Sequence, residues 1–332
     1  YGKLEYFVFD EIQNVKGWEL FINRLRRTKR VIITGSNSQM LSGELATHLT
    51  GRHVDFTLFP FSFKEFCIYK NIELKNLKKT EYTTETAAVF ENALMEYIES
   101  GGIPEAYIYG KPIVKSIFGD IVTKDIVNRY RLKSSVIESL AKYLVTNFSS
   151  EISFNKLKDV FSISKVQTIK NYVKHFQDTY LIFVLERFSY KLKKQIISPK
   201  KIYCMDTGII NSVSFKFSND MGKLIENVVC TELFRRVHSK QNETEIYYWK
   251  NHQQFEVDFV VKKKEKVEEL IQVCYDISNE KTRKREISSL LNASHELRCN
   301  ELIVITWDHE KEEKINGKIV RYIPLWKWLL DI

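Results

Sequence analysis

Hydrophobic and polar positions along the chain follow two different spacings, and each change of spacing marks an element. Near the start, the bulky run Tyr6-Phe7-Val8-Phe9 ends in two carboxylates, Asp10 and Glu11. A short continuous apolar run of this kind predicts a strand over residues 4–9, buried on both faces. A helix through Trp18-Glu19-Leu20-Phe21-Ile22-Asn23-Arg24-Leu25 follows, then a second apolar strand over 30–34 and a helix through Gln39-Met40-Leu41. Strands alternating with helices predict a parallel sheet. Between residues 80 and 148 the spacing becomes helical, with Phe90, Leu94, Tyr97 and Ile98 three or four apart, until Gly101-Gly102-Ile103-Pro104 breaks it.

Further on, two helices are predicted over Ser153 to Phe161 and Ser164 to Asp178, separated by Ser162-Ile163. The second has a capping box of Ser164 with Gln167 and an apolar face of Val166, Ile169, Val173 and Phe176. Its other face carries Lys165, Thr168, Lys170, Asn171 and Lys174. Strands over Leu181 to Phe188 and Lys201 to Met205 come next, joined through Lys191-Leu192-Lys193-Lys194-Gln195. Two helices and a basic-tipped hairpin are what a winged helix-turn-helix needs, one helix for the major groove and a wing for phosphate. From residue 220, a helix containing Glu226 precedes strands Glu245 to Lys250, Glu256 to Lys262 and Glu269 to Tyr275. A charged helix from Glu280 to Leu291 and a strand from Leu302 to Trp307 close an αβββαβ order.

Charge sharpens this picture. Residues 111–202 hold 18 Lys and Arg against 7 Asp and Glu, a surplus of 11 that exceeds the +9 of the whole chain. The rest is near neutral, so the predicted hairpin and its helices form the basic part, and DNA is the natural partner, through Lys165, Lys170, Asn171, Lys174, Lys193 and Lys194. With 332 residues, 44% of them hydrophobic and 28% charged, the chain is long enough for two or three ordinary domains. Its longest apolar runs, such as Tyr180-Leu181-Ile182-Phe183-Val184-Leu185, fall well short of the roughly 20 residues a membrane-spanning helix needs. Five scattered cysteines without a Cys-x-x-Cys pair point to a reduced, cytoplasmic protein. The seven His residues show no metal-ligand spacing.

The acidic pair carries the first candidate chemistry. Open α/β sheets place their sites at the carboxyl ends of strands, and a strand ending in Asp10-Glu11 has the Walker B pattern. Asp10 would hold Mg²⁺ through its water shell, and Glu11 would orient the water that attacks the γ-phosphate of ATP. The second strand ends in Thr34-Gly35-Ser36-Asn37-Ser38, a polar run able to reach a phosphate or that water from the neighbouring strand. Ser36 and Asn37 are its candidate site residues.

Several stretches, in order, resemble the prokaryotic AAA+ ATPases that carry a winged helix and then a restriction-endonuclease-like domain. They are Phe9-Asp10-Glu11-Ile12-Gln13, Ile33-Thr34-Gly35-Ser36-Asn37, Leu49-Thr50-Gly51-Arg52, and Phe59-Pro60-Phe61-Ser62-Phe63-Lys64-Glu65-Phe66. Gly101-Gly102-Ile103-Pro104-Glu105-Ala106, Lys201-Ile202-Tyr203-Cys204-Met205-Asp206-Thr207-Gly208 and Glu256-Val257-Asp258-Phe259-Val260 continue the series over nearly the whole chain. The resemblance implies an α/β fold: the second half of a P-loop ATPase core over 1–70, a helical lid over 71–133, a winged helix over 134–210 and an αβββαβ restriction-endonuclease-like domain over 220–332. It implies ATP and Mg²⁺ as cofactors and Asn37 as a sensor of the γ-phosphate. It also implies Arg52 as an arginine finger on a neighbouring subunit, hence a homo-oligomer.

Two departures qualify these expectations. No Gly-x-x-x-x-Gly-Lys-[Ser/Thr] occurs and the chain begins with Tyr1, so it reads as a portion of a longer protein whose phosphate-cradling loop precedes it. Active nuclease-like members use an acid on the first helix, an Asp on the second strand and Glu-x-Lys on the third. Glu226 and Asp258 match as metal ligands, but the third strand reads Gln272-Val273-Cys274. Gln brings no charge, and Cys cannot replace the cationic Lys, so a degenerate, silent metal site is expected. The expected function is an AAA+-type ATP-binding or ATPase protein associated with DNA, whose hydrolysis needs the missing loop. Its rivals are a metal-dependent nuclease working through Glu226 and Asp258 and a non-enzymatic module that binds DNA or protein.

Overall fold

A computed structural model describes residues 4–36, 53–74, 83–214, 220–240 and 243–332. Asn37 and Arg52, and the expected helix through Gln39-Met40-Leu41, lie outside the described residues. At the N-terminus, strand β1 (Tyr6–Phe9) and β2 (Arg30–Ile33) pair in parallel around helix α1 (Trp18–Leu25). The expectation that β1 is buried on both faces fails among the described residues. Phe9, Val31 and Ile33 pack on Ile12, Trp18 and Ile22. The alternate positions face away, leaving Val8 65% and Ile32 56% exposed. One helix covers one face, and the period of two along each strand decides which residues it reaches.

Helices α2 (Phe63–Tyr69), α3 (Thr84–Ser100), α4 (Pro104–Tyr109) and α5 (Lys111–Asp120) follow, the last continuing as a π-helical stretch, Ile121–Asn128, and a turn at Arg131 then leads to α6 (Ser134–Thr146). Then come β3 (Ser150–Ile152), α7 (Phe154–Val160), α8 (Val166–Asp178), β4 (Ile182–Arg187), α9 (Leu192–Ile197), β5 (Lys200–Cys204) and α10 (Thr207–Val213). The expected capping box does not form, because α8 starts only at Val166, with extended Lys165 as its cap residue and no side-chain bond there. Strands β4 and β5 form the expected antiparallel hairpin, and its connection folds into α9.

The C-terminal stretch runs α11 (Met221–Lys240), β6 (Thr244–Lys250), β7 (Glu256–Lys263), β8 (Lys266–Val273), α12 (Glu280–Leu297) and β9 (Leu302–Thr306), in the predicted order. The hairpin β10 (Lys311–Ile315) and β11 (Lys318–Pro324) and the helix α13 (Leu325–Leu330) extend it. All strands from β3 onward join one nine-stranded mixed sheet, in the order β10-β11-β9-β8-β7-β6-β4-β5-β3. The stretches read as 134–210 and 220–332 therefore share a sheet, and one apolar core runs from Phe63 to Leu330. Among the described residues no helix is long and apolar enough to cross a membrane, and all five cysteines are free and buried.

Three of the recognised sequence stretches meet at one knot inside this core. The Asp206 carboxylate accepts hydrogen bonds from the backbone N–H of Gly102 (2.6 Å) and of Ile209 (3.2 Å), the second capping α10. Phe61 N–H donates to the Gly102 carbonyl at 2.7 Å, and the Tyr97 hydroxyl donates to the Phe61 carbonyl at 2.7 Å. Gly102 has to be glycine because a Cβ there would collide with the Phe61 carbonyl oxygen. The Gly-Gly-Ile-Pro marker thus has a packing role. Burial pushes the Asp206 carboxyl up to about 6 despite its backbone donors.

An acid whose folded pKa lies above its unfolded value favours proton uptake by the folded state. Its contribution to stability is full at low pH and is lost as pH rises from about 4 through about 6. Denaturant titrations at pH 4.5 and 7.5 should therefore differ by about 2 kcal/mol more in the wild type than in Asp206→Asn. Equal differences would remove Asp206 as the source.

Candidate functional site

At the end of β1 the chain turns sharply, and Glu11 takes a left-handed conformation, φ 48° and ψ 44°. A non-glycine residue held there is strained, so the neighbouring strand must over-determine the turn. It does so through Thr34. The Thr34 hydroxyl donates to Asp10 Oδ1 and accepts from the Glu11 backbone N–H at 3.1 Å. Both ends of the acidic pair are thereby tied to β2. Asp10 is left exposed, which suits a carboxylate that meets Mg²⁺ through water, and Glu11 is half-buried.

The Ser36 hydroxyl lies 3.2 Å from Glu11 Oε2 and 3.2 Å from Asp125 Oδ1, and the Gln13 amide donates to the same Glu11 oxygen. Ser36 therefore belongs beside the acidic pair, as its position in the sequence suggested. Asp125 is a residue that sequence reasoning missed. It arrives from the π-helical stretch, and burial raises its pKa, with the Ser36 hydrogen bond and Arg129 pulling it back. The only signal in the sequence is an acid set among Val122, Ile126 and Val127, all of them buried. This acid on the π-helical stretch gives Glu11 a second link, through Ser36, to the helical region.

The basic helix α8 buries Ile169, Val173 and Phe176, and exposes Lys165, Lys170, Asn171 and Lys174. Asn171 accepts from the Gln167 amide at 2.9 Å, and the Lys170 ammonium lies 5.8 Å from the centre of the Phe154 ring. Lys193 and Lys194 are exposed on α9, at the tip of the β4–β5 hairpin. Long, flexible Lys side chains on one polar helix face suit phosphate, and their exposure lets them reach it.

The predicted metal pair does come together. Glu226 on α11 and Asp258 on β7 both reach one point, but a lysine occupies it. Lys201 Nζ on β5 lies 3.0 Å from Glu226 Oε1, 3.0 Å from Asp258 Oδ1 and 2.7 Å from Glu256 Oε1. Gln272 on β8 donates its amide to Asp258 Oδ2 (2.9 Å) and to Glu286 Oε2 (2.7 Å). Cys274 turns away, its thiol donating to the Asp276 carbonyl at 3.4 Å. Burial works against the Lys201 ammonium, but Glu226, Tyr203, Asp258 and Glu256 outweigh it and hold its pKa well above the ordinary value. Burial drives the Glu226 carboxyl up, with Lys201 opposing. Burial also opposes the Glu256 carboxylate, yet Lys201 and Lys250 bring its pKa below the ordinary value. Among the described residues no group of His, Cys, Asp or Glu stands ready to hold a metal ion. Lys201 and Glu256 were legible only as parts of sequence stretches, without a role; two adjacent lysines opening a strand that continues Ile, Tyr and Cys were the available signal.

Models of known families match the chain in three places. An AAA domain matches residues 1–67, and two domains of unknown function match residues 91–220 (DUF8612) and 221–328 (DUF4143). The uncharacterized protein MJ1544 of Methanocaldococcus jannaschii is 37% identical over 97% of this chain and 74% of its own length. An uncharacterized protein of Haemophilus influenzae is 28% identical over 97% of this chain and 77% of its own. The uncharacterized protein MJ1637 of Methanocaldococcus jannaschii is 23% identical over 68% of this chain and 53% of its own. No solved structure matches.

Proposed function

Because the chain belongs to the AAA-like ATPase family that includes MJ1544, we propose that Asp10 and Glu11 are the Mg²⁺-binding and water-orienting carboxylates of an ATP site. The observation that supports this reading is the anchoring of both acids, at the end of a parallel strand, to Thr34 on the neighbouring strand. The pair fits the metal: Asp10 is exposed and oriented by the Thr34 hydroxyl, and the Glu11 carboxylate beside it is met by Ser36 and Gln13 instead. Bound Mg²⁺ would neutralise charge developing on the phosphates. Glu11 would hold the attacking water, and Ser36 would fix the Glu11 carboxylate against Asp125. Hydrolysis needs a phosphate-cradling Gly-rich loop with a lysine, a motif these 332 residues do not contain.

In this reading the helices over 71–133 are the lid of the ATPase, 134–210 is a winged helix that binds DNA, and 220–332 is a restriction-endonuclease-like unit without nuclease activity. The exposed lysines of α8 and the positive surplus of residues 111–202 favour DNA over an uncharged partner. The order helix, three strands, helix, strand supports the nuclease-like reading of the last unit. Gln272 and Cys274, in place of Glu and Lys, argue against cleavage.

Titration with fluorescent ATP and Mg²⁺ should give binding that weakens roughly tenfold or more in the Asp10→Ala, Glu11→Ala variant and on Mg²⁺ removal. Equal binding by both forms would remove the acidic pair from the site. For DNA, the slope of log K against log salt should lose about two units when Lys170 and Lys174 become alanine, with affinity falling alike on unrelated sequences. An unchanged slope would take α8 off the phosphate backbone.

A further inference from the structure

All five residues of β5 are buried, and two of them are lysines. Placing an ammonium out of water is costly unless charged oxygens replace the water it loses. Around Lys201, whose side chain is 4% exposed, three carboxylate oxygens do so at 2.7 to 3.0 Å, one for each N–H an ammonium can donate. These distances fit N–H···O⁻ bonds, whereas Mg²⁺ would draw the same oxygens to roughly 2.1 Å and Ca²⁺ to roughly 2.4 Å. The outer layer is filled as well. The Tyr203 hydroxyl donates to Glu226 (2.7 Å), the Val273 backbone N–H to Asp258 (3.0 Å), and the Lys250 ammonium bridges Glu256 (2.9 Å) and Glu151 (3.0 Å).

The donors and acceptors of this cluster come from two parts of the chain. Lys201, Tyr203 and Glu151 belong to the β3–β5 region, while Glu226, Glu256, Asp258 and Lys250 belong to α11, β6 and β7. We propose that Lys201 is the resident cation of this carboxylate site: its ammonium takes the place of a divalent metal and fastens the β4–β5 hairpin to the C-terminal α/β unit. The inference is independent of the ATP site. In the nuclease-like reading it also gives Gln272 and Cys274 on the third strand a counterpart, because the positive charge the carboxylates need comes from a different strand.

Removing Lys201 leaves three converging carboxylates without their cation, which is the condition for a metal site. Thermal denaturation of the whole chain, in EDTA and in a few millimolar Mn²⁺, tests this for the wild type, Lys201→Ala and the triple variant Lys201→Ala, Glu226→Gln, Asp258→Asn. The wild type should melt at one temperature in both. Lys201→Ala should melt on the order of 10 °C lower in EDTA and regain roughly half of that in Mn²⁺. Mn²⁺ binding to this variant is read independently from the loss of the free-ion paramagnetic resonance signal. The triple variant should melt closer to the wild type in EDTA and ignore Mn²⁺. The proposal falls if Mn²⁺ stabilises the wild type as much as it does Lys201→Ala, or if Lys201→Ala melts like the wild type. Should Lys201→Ala fail to fold, the triple variant carries the test: its folding upholds charge compensation, and its failure to fold overturns it.

Discussion

A lysine ammonium taken out of water has to find protein oxygens, at least one of them charged, in place of the water it gives up, and much of the nine-stranded sheet depends on how β5 meets that demand. Lys200 and Lys201 are neighbours on a strand, so they point to opposite faces. Lys200 turns back into the hairpin, to Glu186 (2.9 Å) and the Gln195 carbonyl (2.7 Å). Lys201 turns outward, to the acids of α11 and β7. The strand is pinned on both faces by charge, and each pin needs a different part of the chain to be in place. The backbone seam between the hairpin and the C-terminal unit is thin by comparison. Strands β4 and β6 are in register only at Glu186 with Tyr247 and Arg187 with Tyr248, extended by the Phe188 N–H to the Tyr248 carbonyl at 2.6 Å. A short ladder fixes direction, and the ionic cluster and the shared apolar core supply the rest of the attachment.

The N-terminal unit obeys a different constraint. Among the described residues, its two strands pack on one helix and a small cluster of Ile12, Trp18 and Ile22, and its polar end is organised by hydroxyls rather than by buried charge. Thr34 ties down the turn that carries Glu11 in its left-handed conformation, and Ser36 links that side chain to Asp125. Hydroxyls can exchange partners at little cost, whereas a buried ammonium cannot. The first cluster can rearrange at little cost, whereas the second is fixed.

These physical differences also explain what could be read from the sequence. The alternation of strands and helices, the hairpin after two helices, and the αβββαβ order all follow from local periodicity, and each has its counterpart in the fold. The expected burial of β1 did not hold, because a run such as Tyr6-Phe7-Val8-Phe9 reports apolarity and not how many layers cover it. The capping box of Ser164 and Gln167 failed for a related reason, since the backbone at Lys165 is extended and the helix begins one turn position too late to use it. The pairing of β11 with β9 and the burial of Trp326 were invisible to a reading that ended at Trp307. Lys201 and Asp125 were hidden most deeply. Their partners lie 25 to 89 residues away in sequence, and no local pattern encodes such a contact.

The same lysine bears on what these carboxylates can do. Metal-dependent hydrolysis needs carboxylates that hold a cation yet leave it open to water and phosphate. Here the cation is tethered, every carboxylate oxygen that faces it is engaged, and its coordination cannot open without withdrawing β5. That withdrawal would separate strands that share one core, so the cost of reopening the site is the cost of disrupting the sheet. Gln272 fits the same logic. Its amide donates to both Asp258 and Glu286, a role that a glutamate could not fill at that position without adding another uncompensated charge. Gln272 on β8 and Lys201 on β5 form one arrangement: the lysine supplies the positive charge, the glutamine adds no negative one, and the carboxylates serve attachment.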